Sequence, residues 1–180
     1  MNPDRIELVA YNLDWPKMAA DEMAHLKQLL PPEHLIDIQH VGSTAIPGML
    51  AKPIIDIQIA VDSLTTVKQL AISVLEADGY QYWYDNPNQE RMFFVKGMPP
   101  FGEKRTHHVH ICEPTYREWP AKILFRDYLI AHSEKAKEYA ALKIMLSKQH
   151  TEDREKYTEA KTQFIESVLK MAASQRSGAS

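Results

Sequence analysis

Residues 53–61, PIIDIQIAV, constrain the fold more than any composition does. In an extended chain Ile55, Ile57, Ile59 and Val61 fall on one face, with Asp56, Gln58 and Ala60 on the other. A strand apolar along one whole face must be covered, so the chain has to build a sheet and a layer to lay on it. Asp56 and Gln58 then stand side by side on the opposite face. The preceding run LIDIQHV, also strand-like, ends in Gly42, Ser43 and Thr44.

Around this pair the pattern is regular. Asp14 before Trp15 and Pro16, with Met18, Met23, Leu26, Leu29 and Leu30 behind, predicts a helix over about 14–30 that stops at Pro31-Pro32. Ser63 reads as the cap of a second helix ending near Gly79. YQYWY, RMFFVK and THHVHIC read as three more strands separated by turn-rich DNPNQ and GMPPFGE. The rest reads as helical, with starts at Thr115, Ser133 and Thr151. Strands in the first two thirds and helices at the end predict an α+β fold, a mixed β-sheet covered by helices with a C-terminal helical segment. One domain is expected over residues 1–173, with 174–180 as a flexible tail.

Charge and cysteine usage narrow the function classes. A single Cys112 excludes an internal disulfide, and without a leader-like start or a membrane-length apolar stretch the expected setting is cytoplasmic, with no membrane partner. The net charge of -3 argues against a general nucleic-acid binder. Residues 117–180 nevertheless carry twelve bases against nine acids, while residues 1–60 carry eight acids against four bases. A mildly basic helical part suits a solvated surface or the rim of an anion site. Nothing in the sequence fixes the oligomeric state.

GSTAIPGMLAKP, residues 42–53, is either a surface connection or a phosphate loop. It is not a Walker A motif, because Met49 follows Gly48 and Pro53 follows Lys52. It does offer Gly42, Ser43 and Thr44 directly after a strand, where backbone N–H groups and two hydroxyls can hold phosphate oxygens. Asp56 on the next strand is placed to meet a cation bridging those phosphates.

In THHVHIC, alternation sets Thr106, His108, His110 and Cys112 on one face. His108 and His110 are either hydrogen-bonded histidines at a sheet end or, with Asp56, a two-histidine, one-carboxylate metal set for Mg²⁺, Mn²⁺ or Zn²⁺. A two-histidine phosphoesterase is excluded by the lack of a second His-x-Ser/Thr element. Arg91 at a strand start, Arg126 within ILFRDYL, Arg154 and Lys161 seven apart with Tyr157 between, and Lys52 before Asp56 are candidate phosphate contacts; otherwise they are ion-paired or snorkelling side chains. Asp127, next to Arg126, is expected on another helix face, which leaves that arginine needing a partner elsewhere.

Taken together, HVGSTAIPG…AKPIIDI, RMFFVKG, HHVHI, LFRDYLIAH, AKEYAALK and REKYTEAKTQFI resemble the GrpB family from about residue 8 to 170. That family is placed in the nucleotidyltransferase superfamily, related to DNA polymerase beta; GrpB-like domains also occur at the C-terminus of some dephospho-CoA kinases. The resemblance implies a nucleotidyltransferase-like fold with Gly42 and Ser43 as the Gly-Ser pair and Asp56 as the first carboxylate. It puts Gln58 where active members carry the second, so a full two-metal centre is not expected. The implied function is binding of a nucleotide or another phosphorylated small molecule with a divalent metal, and nucleotidyl transfer through Ser43 and Asp56 if there is turnover. The alternative is a non-catalytic ligand-binding or protein-folding accessory module.

Overall fold

A computed structural model describes residues 6–178. Five strands form one sheet in the order β1-β2-β5-β4-β3. They are β1 (Leu35–Val41), β2 (Ile55–Val61), β3 (Tyr80–Tyr82), β4 (Arg91–Lys96) and β5 (His107–Cys112). β2 and β5 run parallel, and the other neighbours are antiparallel. The mixed sheet follows from the connections: β1 and β2 are joined by a loop, whereas α2 (Leu64–Ala77) and the β3-β4 pair intervene before β5 returns beside β2.

The isoleucine face of β2 is covered as its alternation requires. Ile55, Ile57, Ile59 and Val61 pack with Trp15, Ala19 and Leu26 of α1 (Trp15–Leu29) and with Val67, Ala71, Ile72 and Leu75 of α2. The Ser63 side chain caps α2 by accepting from Thr66 N at 3.3 Å, and Gly79 leaves that helix at φ +84. Asp14, in contrast, makes no side-chain cap on α1. Its own N–H donates to Asn12 Oδ1 at 2.9 Å, so the start of α1 is set by the Asn12 turn and the proline.

The C-terminal helices are α3 (Glu118–Ala131), α4 (Ser133–Gln149), α5 (Arg154–Glu159) and α6 (Thr162–Gly178). α3 starts after Arg117 rather than at Thr115, and the helix expected from Thr151 is two, capped by Asp153 and broken at Ala160. That break lets Tyr157 on α5 pack with Leu146 and Ile6 while Val168 and Ala172 on α6 pack with Tyr128, Leu129 and Tyr139. Ile46 and Met49 of the β1-β2 loop enter this second cluster, which anchors the loop from below. Residues 174–178, expected as tail, continue α6; residues 1–5, 179 and 180 lie outside the described residues. Among the described residues no helix is long and apolar enough to cross a membrane.

Candidate functional site: a carboxylate beside a lysine cluster

The polar face of the sheet is a short grid. Across the strands Asp56 pairs with Val41 and His108, and one step on Gln58 pairs with Gln39 and His110. At the end of β1 the chain turns at Gly42, φ +75, into a 3₁₀ turn over Ser43–Ala45. A Cβ on Gly42 would lie 2.5 Å from Asp56 Oδ2, so both the backbone angle and the approach of the carboxylate demand glycine.

Asp56 is partly exposed, and its Oδ1 lies 3.1 Å from His108 Nδ1. Burial alone would push the carboxyl up, but His108, then Lys122 and Lys52, hold it below its ordinary value. Burial lowers His108 in spite of Asp56. The pair is therefore a carboxylate and a neutral imidazole whose Nδ1–H donates, leaving the Nε2 lone pair buried with no partner.

His110 does not join them. It receives a hydrogen bond from Arg91 Nη1 at Nδ1 and stacks on Phe93 with centroids 4.8 Å apart. Burial, with Lys122 and Arg91 nearby, holds it well below the usual imidazole range. No group of three His, Cys, Asp or Glu side chains among the described residues is arranged to hold a metal. The expected Asp56, His108 and His110 metal set is thus corrected to a His108-Asp56 pair and a separate Arg91-His110 pair. Alternation aligned the histidines correctly, but a residue rise of about 3.3 Å per position carries His110 to the level of Gln58.

Basic side chains gather beside Asp56 instead. Lys161 Nζ lies 4.3 Å and Lys52 Nζ 5.6 Å from the centroid of the Tyr157 ring. Burial, together with Arg154 and Lys161, brings Lys52 down to about 7; burial and Arg154 bring Lys161 down to about 8. Asp56 opposes both shifts and does not offset them. Arg105 adds to the field at Lys52. The helix break did not separate Arg154 from Lys161, since Arg154 still acts on both Lys161 and Lys52.

Three residues here had not been singled out from the sequence. Lys143, 2% exposed, donates to Leu50 O, lies 5.0 Å from the Tyr139 ring centroid, and is held near 7 by burial and the other lysines. Tyr139 is hydrogen-bonded to Ser43, and burial raises its hydroxyl. Lys122, on α3, bears on Asp56 and His110. A lysine buried one turn from Tyr139, in EYAALKIML, was a readable signal.

The remaining candidates have structural partners. Thr44 is 1% exposed, with its hydroxyl 2.9 Å from His40 Nε2 and 3.5 Å from Ile54 O. Arg126 donates from Nη1 to Gln39 Oε1 at 2.9 Å and His40 O at 2.7 Å, tying α3 to β1. Its Nε donates to Asp127 at 2.7 Å, so Asp127, expected on another face, is a partner after all.

Residues 5–171 match the family model described as GrpB protein. The chain belongs to the GrpB family. It is 43% identical over 166 residues to a UPF0157 protein of Pseudomonas aeruginosa, covering 92% of this chain and 67% of that one. It is 40% identical over 174 residues to the UPF0157 protein YqkA of Bacillus subtilis, covering 97% of this chain and 49% of YqkA, about half its length. The crystal structure of GrpB from Enterococcus faecalis matches with a TM-score of 0.83 at 32% identity, over 94% of this chain and 99% of that one. The Cid1 poly(U) polymerase bound to MgGTP matches at a TM-score of 0.52 and 14% identity, over 78% of this chain and 44% of that one. That likeness extends to fold alone, and the fold is nucleotidyltransferase-like.

On this GrpB sheet the residue two after Asp56 is Gln58, 1% exposed, whose Nε2 lies 3.6 Å from Cys112 Sγ and whose Oε1 is buried without a partner. One carboxylate, a neutral amide and a neutral imidazole do not fit a pair of divalent ions, which needs bridging acids. They fit at most one cation completed by oxygens from a ligand.

Proposed function

We propose that this GrpB-family protein binds a phosphorylated small molecule, a nucleotide above all, at the Gly42-Ser43 turn, with its phosphates toward Lys52 and Lys161 and a single divalent cation between them and Asp56. The observation that carries this reading is the lysine cluster. Burial and the neighbouring basic groups bring two lysines to about 7 and about 8 beside one carboxylate, so like charges crowd one another at this site. A polyanion would relieve the repulsion and restore both ammonium groups. Ser43 and the Gly42 turn supply the close backbone approach, Arg154 adds charge, and Thr44 and Arg126 hold the frame.

Gln58 favours binding without turnover over nucleotidyl transfer, because the position two residues after Asp56 on the same face holds an amide rather than a second acid to activate an attacking hydroxyl or hold a second metal. The test is thermal unfolding with each common ribonucleoside triphosphate, with and without Mg²⁺ or Mn²⁺. A ligand bound only by the folded state raises the melting temperature. Lys52→Gln should diminish the whole shift, and Asp56→Asn only its metal-dependent part. No shift with any triphosphate at millimolar concentration overturns the proposal.

A further inference from the structure

Lys52 and Lys161 reach the Tyr157 ring from two distant parts of the chain, one just before β2 and the other between α5 and α6. Among the described residues neither makes a hydrogen bond or an ion pair. Both stay partly open to solvent, unlike Lys143, which is 2% exposed and committed to Leu50 O. Their amines are therefore within reach of a small solute.

The surroundings give the two lysines different states. Lys52 is faced by Asp56 from β2, Arg105 from the loop before β5, Lys143 from α4, Arg154 from α5, and Lys161. Burial and these cations outweigh the one carboxylate, so at neutral pH about half of Lys52 is the free amine. Lys161, lowered by burial and Arg154 but supported by Asp56, stays at about 8 and keeps most of its charge. One lysine is a nucleophile and its neighbour a cation.

A neutral amine beside a cation suits an electrophile that brings its own negative charge. An acyl phosphate is such a reagent. We infer that Lys52 is an acylation site for acyl phosphates, with the phosphate held against Lys161 while the Lys52 Nζ attacks the carbonyl carbon. The C–N bond forms as the acyl C–O bond breaks, the phosphate leaves with that bond's electron pair, and the amine proton passes to it, giving N-acyl-lysine and hydrogen phosphate. The product has lost an ammonium group, so acylation weakens the site's hold on anions. The inference shares its lysines with the proposed nucleotide site, and its test contains no nucleotide, so either can fail without the other.

The test is incubation of the whole protein at about pH 7.5 with acetyl phosphate and, separately, with uncharged p-nitrophenyl acetate, followed by peptide mass spectrometry of each lysine. Lys17 serves as the reference. Its side chain is 77% exposed, and Asp21 holds it above the ordinary lysine value. Acetyl phosphate should modify Lys52 at least roughly tenfold faster than Lys17, because an ordinary lysine is neutral in only about one molecule in a thousand at that pH, although its neutral form is the stronger nucleophile. With p-nitrophenyl acetate the Lys52 rate should level off above about pH 8, while that of Lys17 keeps climbing. Orthophosphate should slow acetyl phosphate at Lys52 more than it slows p-nitrophenyl acetate, and Lys161→Gln should lower the first rate relative to the second. The inference is overturned if acetyl phosphate modifies Lys52 no faster than Lys17, or if neither orthophosphate nor Lys161→Gln alters the preference. Selective reaction with p-nitrophenyl acetate alone overturns it too, since the phosphate would then have no seat beside the amine.

Discussion

Asp56 Oδ2 lies 2.5 Å from where a Cβ of Gly42 would stand, so the turn and the carboxylate occupy their places only because residue 42 has no side chain. Gly48, six residues later, has nearly the same backbone angle, φ +76, but nothing within 4 Å of its Cβ position. Gly42→Ala and Gly48→Ala therefore separate two costs. Each should lose about 1 kcal/mol to the left-handed backbone. Gly42→Ala should lose roughly 2 kcal/mol more, because Asp56 must move and its hydrogen bond to His108 breaks. Urea unfolding of the two variants measures the difference; equal losses would remove the steric link between turn and carboxylate.

The lysine cluster makes a prediction about protons. Lys52 and Lys161, at about 7 and about 8, are partly neutral at pH 8. A bound polyanion raises both, so binding at that pH should take up roughly one proton, and affinity should fall as pH rises from about 7 to 9. Calorimetry of triphosphate binding in two buffers of different ionisation enthalpy reads the uptake directly. At pH 6, where both lysines are already charged, it should vanish. In the unliganded protein these folded-state values lie below 10.5, so the unfolded chain binds more protons between about 7 and 10.5. Stability should accordingly rise with pH through that window.

The histidines give the opposite end of the pH profile. Burial lowers His40 to about 4, an effect that Asp56 resists and Arg126 reinforces, and His107, His108 and His110 are lowered too. Unfolded imidazoles protonate near 6.5, so below that pH the unfolded chain takes protons first. Stability should fall as pH drops from about 6.5, and for His40 the fall continues to about 4. At about 1.4 kcal/mol per pKa unit, His40 accounts for up to roughly 3 kcal/mol of that loss. His40→Gln keeps a polar group facing Thr44 and should flatten the slope between pH 6.5 and 4, as measured by denaturant unfolding across pH. An unchanged slope would show that His40 protonates without penalty.

How far the sequence exposed this site depends on which forces place each residue. The strands and Asp56 were legible because alternation of side chains is local and geometric: the isoleucines of β2 and the turn glycine need no knowledge of the rest of the chain. The Arg126 partners were not legible. Gln39 and the His40 carbonyl are more than eighty residues away, and only the docking of α3 on β1 brings them within 2.9 Å. The lysine cluster was legible in part. Arg154, Tyr157 and Lys161 share a helical spacing, but Lys52 and Lys143 reach them across the β1-β2 loop and α4. Strand register, which sequence spacing does not determine, is what separated His110 from Asp56.

Gln58 provides the most direct test of what this site descends from. It stands two residues after Asp56 on the same face, with Oε1 buried and unmet, so Gln58→Asp would put a second carboxylate beside the first. Without a cation, two close carboxylates resist joint ionisation, and the unliganded variant should lose about 2–4 kcal/mol, partly by raising one of the two pKa values. If the position is that of a lost metal ligand, Mg²⁺ or Mn²⁺ should return much of the loss, with a melting temperature that climbs as metal concentration increases. Wild type, with one carboxylate already paired to His108, should respond to the metals far less. If Gln58 serves only to fill its place near Cys112, the variant is destabilised and no metal restores it. Melting curves of both proteins against metal concentration decide between these outcomes. Equal metal responses would leave Asp56 as the partner of His108 and the lysines, with no inherited second metal position beside it.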